Sequence, residues 1–280
     1  MTRMLILLAL SKFVFFVTSI LAQPIWLAHD RGTSMAVEFL KPYFVDSNSS
    51  TTTAMLFISG RLPLSQTITI VGDIPFAHHG YKDDFGLDRL EASTVIGNPY
   101  LGVEIQKQDL PFFVELGLRL PLGADLESRA ANVAQITDSE RFEAFIDYDL
   151  SAKARLNYHS NFASSVILHL RGGWSGGHSV AQEGGPGNYS TLDYGIRLGY
   201  QMEQVSVIGG LTGHYLLDGG TPHLSRFNSK AGRTVYQIAV AASVGFATVR
   251  PGLHFKLPVD DFWNDEIRFV LGLNLGYRFK

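Results

Sequence analysis

The stretch Ile267-Arg268-Phe269-Val270-Leu271-Gly272-Leu273-Asn274-Leu275-Gly276-Tyr277-Arg278-Phe279 alternates at nearly every step. Ile267, Phe269, Leu271, Leu273, Leu275, Tyr277 and Phe279 share one face, while arginine, asparagine and glycine dominate the other. Successive side chains of a β-strand point to opposite faces, so this segment is a strand with one greasy side and one polar side. Its apolar side carries an aromatic near each end. Lipid outside, a polar lumen inside and aromatic girdles at both interfaces produce that pattern in a transmembrane β-barrel. A strand of a soluble antiparallel sheet also alternates, so the rest of the chain must decide.

Similar two-faced segments of about ten residues recur at 34–45, 54–63, 67–77, 92–106, 111–122, 142–158, 162–174, 189–202, 205–216, 233–246, 248–257 and 266–279. Twelve strands are expected. Their connections alternate in length. Polar or glycine-rich loops at 46–53, 78–91, 123–141, 175–188, 217–232 and 258–265 alternate with tight turns at 64–66, 108–109, 159–161, 203–204 and 247. An up-and-down barrel places long loops on the outer side of the membrane and short turns on the periplasmic side. A soluble sandwich has no reason to keep that rhythm. The expected fold is therefore all-β, a transmembrane antiparallel barrel, with the segment at 266–279 closing onto the one at 34–45. The loop at 123–141 reads two ways: an external loop, or a segment with a short helix near 126–134 that folds into the lumen and narrows it.

Composition agrees. The chain has 280 residues, a formal net charge of −3 and no cysteine. That charge and the absence of a basic cluster argue against a nucleic-acid partner. Disulfides and thiolate sites are excluded. Glycine (28 residues) and aromatics (12%) are abundant, as a crowded wall with interface girdles requires. Arg3 followed by an apolar core from Leu5 to Leu21 reads as a secretory leader, with cleavage after Ala22 and the barrel occupying 23–280.

Three pieces carry a resemblance: Ile70-Val71-Gly72-Asp73-Ile74-Pro75-Phe76-Ala77, Ile96-Gly97-Asn98-Pro99-Tyr100-Leu101-Gly102-Val103-Glu104, and Phe113-Val114-Glu115-Leu116-Gly117-Leu118-Arg119-Leu120-Pro121-Leu122-Gly123. Together they resemble the outer-membrane barrel family labelled for the meta-pathway of phenol degradation. Asn98 stands where that family has aspartate, and Leu122 where it has threonine. The resemblance implies an outer-membrane barrel that passes small, often hydrophobic or aromatic, molecules. It carries over no catalytic residue.

Charge on a lipid-facing position costs about 2–4 kcal/mol at mid-membrane, so the charged residues of alternating strands belong to the lumen. The candidates for a solute path are Glu104, Glu115 and Arg119 from one group of strands, Arg155, Arg171 and Arg197 from the next, and Arg250, His254, Lys256 and Arg268 from the last. Two readings apply: a salt-bridged interior that stiffens the wall, or a charged ring that selects solutes. The final strands look basic, with an acidic strip facing them at Glu104 and Glu115.

Rival classes are a structural or adhesive barrel with a filled lumen, and an enzyme of the outer-membrane phospholipase kind. The run Tyr158-His159-Ser160-Asn161 has suitable residue types for the latter, but a nucleophile and base adjacent in a turn rarely align. No catalytic residue is assigned. His78, His79, His178 and His223 lack a ligand spacing, so no metal and no cofactor are expected. The expected partners are outer-membrane lipid, the barrel-assembly machinery, which reads a C-terminal aromatic strand, and an unidentified small solute. Here Lys280 follows Phe279, a departure from that terminal signal.

Overall fold

The computed structural model describes residues 32–45, 50–82, 92–107, 109–123, 126, 128–147, 149–162, 165–179, 187–219, 234–260 and 266–279. The leader expected at 1–22 and His223 lie outside them.

The strands are β1 (Ser34–Phe44), β2 (Ala54–Pro63), β3 (Ile68–His79), β4 (Ser93–Ile96), β5 (Tyr100–Gln106) and β6 (Phe112–Arg119). After an inserted helical segment come β7 (Asp149–Phe162), β8 (Val166–Ser179), β9 (Gly187–Gln201), β10 (Val205–Gly219), β11 (Thr234–Val244), β12 (Val249–Pro258) and β13 (Ile267–Arg278). Each pairs antiparallel with its sequence neighbour, and β1 pairs with both β2 and β13. The sheet is thus closed. β4 and β5 are two halves of one stave, because both pair with β3. The result is a twelve-stave up-and-down barrel. Closure leaves no unpaired edge for lipid to meet.

The alternation at 267–279 is realised as burial. Leu271, Leu273 and Leu275 are exposed on the outside, while Gly272 and Asn274 are buried inside. The same holds on β5 and β6, where Leu101, Val103 and Ile105 and then Val114, Leu116 and Leu118 face outward. An outer surface this apolar is solvated by lipid. Aromatics gather near both rims. Tyr43 stacks on Phe269 at 4.4 Å toward the long-loop end, and Phe112 meets Tyr158 at 4.9 Å toward the short-turn end.

Four elements differ from the sequence expectation. The strand expected at 142–158 begins only at Asp149, because Ser139–Phe145 forms a 3-10 helix. The turn expected at 159–161 is strand: His159 pairs with His169, and the reversal falls between Phe162 and Val166. His, Ser and Asn favour turns locally, but cross-strand pairing overrides that preference. The strand expected at 92–106 breaks at Gly97-Asn98-Pro99. Pro99 has no N–H to give the ladder. Finally, a register shift between Tyr43 and Phe44 turns Ile267 into the core and leaves Arg268 exposed.

Candidate functional site: a lumen closed by an inward-folded segment

The segment after β6 decides what the barrel contains. Ser128 caps helix α1 (Arg129–Thr137) by accepting a hydrogen bond from the Ala131 N–H at 3.5 Å, a role suited to serine. Ala130, Ala131 and Ala134 bury one face of α1. They pack with Leu40, Met55, Phe57, Val95, Ile267 and Val270 of the wall in one apolar cluster. Alanine's short side chain lets a helix sit this close to a barrel wall. Asp138 ends α1, and the 3-10 turn carries Phe145 edge-on to Phe57 at 6.1 Å. Of the two sequence readings of this loop, the inward one is what the structure adopts: residues 128–147 form a plug.

Charge fastens the plug to separate staves. Arg141 pairs with Glu38 of β1 and, at 2.5 Å, with Asp138, and its guanidinium lies 3.5 Å from the centre of the Phe57 ring. Asp138 also meets Lys256 of β12 at 3.2 Å. Glu140 lies 3.6 Å from Arg197 of β9, and Glu143 lies 3.0 Å from Lys153 of β7. Each charge is withdrawn from water at a cost that its partner offsets, so losing one partner of such a pair costs about 3–5 kcal/mol.

The stave break is the other fastening. Asn98 is fully buried. Its backbone N–H donates to the Ala144 carbonyl at 2.6 Å and its side-chain amide to the Ile146 carbonyl at 2.7 Å. Its side-chain oxygen accepts from the Gly123 N–H at 3.0 Å, and its carbonyl accepts from Arg119 at 2.6 Å. Gly97 is glycine for space, because a Cβ there would lie 2.3 Å from the Ala144 carbonyl oxygen. The broken strand gives up ladder bonds and gives them to the plug instead.

Elsewhere in the lumen, wall pairs with wall. Arg61 holds Glu104 through two bonds of 2.7 and 2.5 Å, and Arg119 holds Asp73 at 2.9 Å. Tyr100 donates to Glu115 at 2.6 Å, with Arg155 3.8 Å from the same carboxylate. Arg155 also meets Asp193 at 3.4 Å, where His214 lies at 2.8 Å. Arg171 donates to Asn157 at 2.8 Å, and His169 shares that acceptor at 3.2 Å. His254 reaches Glu38 at 3.1 Å across Gly272, where any Cβ would lie 2.0 Å from its ring.

The sequence-derived lumen residues therefore fall into distinct places. Glu104, Glu115, Arg119, Arg155, Arg171, Arg197, His254 and Lys256 line the interior. Arg250 sits at the short-turn end, donating to the Glu203 carbonyl at 2.9 Å. Arg268 sits at the other end, 3.4 Å from the Val45 carbonyl, apart from the interior network. The basic strip expected on the last strands is not one: two of its members are at opposite rims, and the plug and Glu38 neutralise the others. Sequence reading missed Asn98, Asp138, Glu140, Arg141 and Glu143. Asp138, Glu140 and Arg141 fall in the loop expected at 123–141 and Asn98 inside an expected strand, so no periodicity marked them.

His159 and Ser160 are consecutive in β7 and face opposite sides of the wall, so they cannot form a nucleophile–base pair. His79 bonds to Thr53 at 2.8 Å and His78 to Thr94 at 2.9 Å, also on opposite faces. Among the described residues no cluster has a metal-binding arrangement.

No protein-family model matches the chain, and no curated protein matches its sequence. Solved structures do match. An outer membrane channel from Pseudomonas putida F1 superposes with a TM-score of 0.61 at 11% identity, covering 92% of this chain and 100% of that one. The translocator domain of the autotransporter NalP from Neisseria meningitidis gives 0.56 at 7% identity, covering 89% of each chain. LpxR from Salmonella typhimurium gives 0.52 at 13% identity, covering 88% of this chain and 100% of that one. At such identities the likeness establishes the fold: the closed antiparallel β-barrel that these outer-membrane proteins share.

Proposed function

We propose that this protein is an outer-membrane channel for small solutes and that residues 128–147 are its gate. The observation that carries this reading is the character of the plug. Its apolar contact is confined to one side of the wall, around Leu40, Phe57 and Ile267, and ion pairs to β1, β7, β9 and β12 hold the rest. A small crevice of about 10 Å³, the room of a single water, lies between Ile136 and Thr137 of the plug and Val235, Gln237 and Lys256 of the wall. The likeness to an outer membrane channel supports the same reading. The lumenal wall elsewhere is polar and charged, so small polar solutes suit this path better than the hydrophobic molecules implied by the resemblance.

A second reading, a structural barrel whose lumen stays filled, is favoured by the number of buried pairs holding the plug. Swelling of liposomes containing the purified protein separates the two. The channel reading expects uptake of small sugars or amino acids, faster in an Arg141→Ala variant whose gate is loosened. Liposomes that stay impermeable with both proteins, each migrating as a folded barrel before heating, would establish the filled barrel instead.

A further inference from the structure

Arg171 is placed differently from the other lumenal cations. Among the described residues no carboxylate forms an ion pair with it, and its one side-chain bond runs from Nε to Asn157. The forked end of the guanidinium, which holds the remaining donors, faces the lumen from a half-buried position. Strand register puts two more arginines beside it on consecutive staves. Arg171 lies opposite Asn157 of β7 and Gly195 of β9, Arg197 opposite His169 and Gly210, and Arg155 opposite Gly173. Each arginine thus has a glycine across the strand, and the stems of Arg155 and Arg197 lie over theirs, 2.7 Å from where a Cβ would stand. The glycines clear the wall so that long cationic side chains can lie along it.

The neighbouring carboxylates are committed elsewhere. Asp193 accepts from Ser175 at 2.6 Å and lies 2.8 Å from His214, and Glu115 accepts from Tyr100. Arg155 is partly neutralised by both, so its contribution is the weakest of the three. Arg197 has a different kind of partner: Glu140, which belongs to the plug and not to the wall. The plug therefore lays a carboxylate on this patch.

We propose that Arg171 and Arg197, supported by Arg155 and His169, form a binding site for small anionic solutes, carboxylates or phosphates, and that Glu140 occupies part of it while the plug is docked. Planar guanidinium forks match the oxygens of carboxylate and phosphate, and the low dielectric of a partly dry lumen strengthens the attraction. Transport of such an anion rests on the channel reading above, but its binding does not.

The test is isothermal titration of the full-length protein in detergent with inorganic phosphate and, separately, with succinate. Saturable binding is expected. Arg171→Gln should weaken it by about tenfold, the equivalent of one charge-assisted hydrogen bond, and Arg171→Lys by less. Glu140→Gln should tighten it by removing the internal competitor, a direction that a merely structural role for Glu140 does not produce. Arg250→Gln, at the short-turn rim, should leave it unchanged. Absence of saturable binding overturns the site, as does equal weakening by Arg171→Gln and Arg250→Gln, or weakening by Glu140→Gln. If Arg171→Gln fails to show the mobility shift of a folded barrel, Arg171→Lys and Glu140→Gln carry the decision. Liposome uptake is scored separately: an anion that binds but does not cross removes the channel reading and leaves the site, whereas uncharged solutes crossing without any anion binding do the reverse.

Discussion

The two ends of the lumen share the same alternating staves but balance charge differently. Toward the long loops, wall cations are met by the plug: Lys256 by Asp138 and Lys153 by Glu143. Toward the short turns, the wall balances itself, as in Arg61 with Glu104, and the hydrogen-bond partner of Arg171 among the described residues is an amide. The difference teaches that a barrel strand can carry a buried cation in two ways. One makes the wall depend on a segment that is not itself part of the wall. The other makes it permanent.

The largest expected effect comes from breaking the dependent half. Arg141→Ala leaves Glu38 with only His254 and Asp138 with only Lys256 among their ion-pair partners in the described residues and should destabilise docking of the plug by about 3–5 kcal/mol. Single-channel conductance should rise at least severalfold while the barrel keeps its heat-modifiable mobility. Unchanged conductance would mean that the plug is held by its alanine face alone.

The wall that both halves share is tested next. Leu273 faces lipid and Asn274 faces the lumen. Leu273→Arg should cost about 2–4 kcal/mol, read as a lower urea midpoint for unfolding in lipid vesicles, and Asn274→Arg should cost less. Equal losses would contradict the assignment of faces.

Asn98→Ala probes the hinge between wall and plug. It leaves the Gly123 N–H and the Ile146 carbonyl without their side-chain partner, a loss of about 1–3 kcal/mol. Hydrogen exchange should quicken at Ala144 to Ile146 and stay slow in β7 to β9.

The smallest effect at neutral pH concerns Asp138, which lies between α1 and the 3-10 turn, outside the strands. Burial pushes its carboxyl up, but Arg141 and Lys256 outweigh that and hold it below its ordinary value of 3.8. A carboxyl depressed in the docked state contributes stability that is present above 3.8 and lost as pH falls through the docked value. Conductance should therefore stay flat from neutral pH down to about 3.8 and rise as the pH falls further toward the docked value. A rise near pH 6 would assign the gate to another group.

Much of the barrel is legible along the chain because lipid imposes a simple rule on every second residue. Ile267 to Phe279 shows it, and the pairing of the last strand with the first follows from strand order. Where that rule weakens, near the ends of strands, reading along the chain errs. His159-Ser160-Asn161 looks like a turn and is strand, and Arg268 looks lumenal and sits at a rim.

Which faces meet lipid and how many staves close the barrel are written along the chain, because they depend on neighbours two residues apart. Only the tertiary structure decided that residues 128–147 enter the lumen, that Asn98 clamps them, and that Arg171 meets an amide where Lys256 meets a carboxylate. Those outcomes depend on contacts such as Asp138 with Lys256 and Arg141 with Glu38, between residues more than a hundred positions apart, and no local periodicity encodes a contact at that separation.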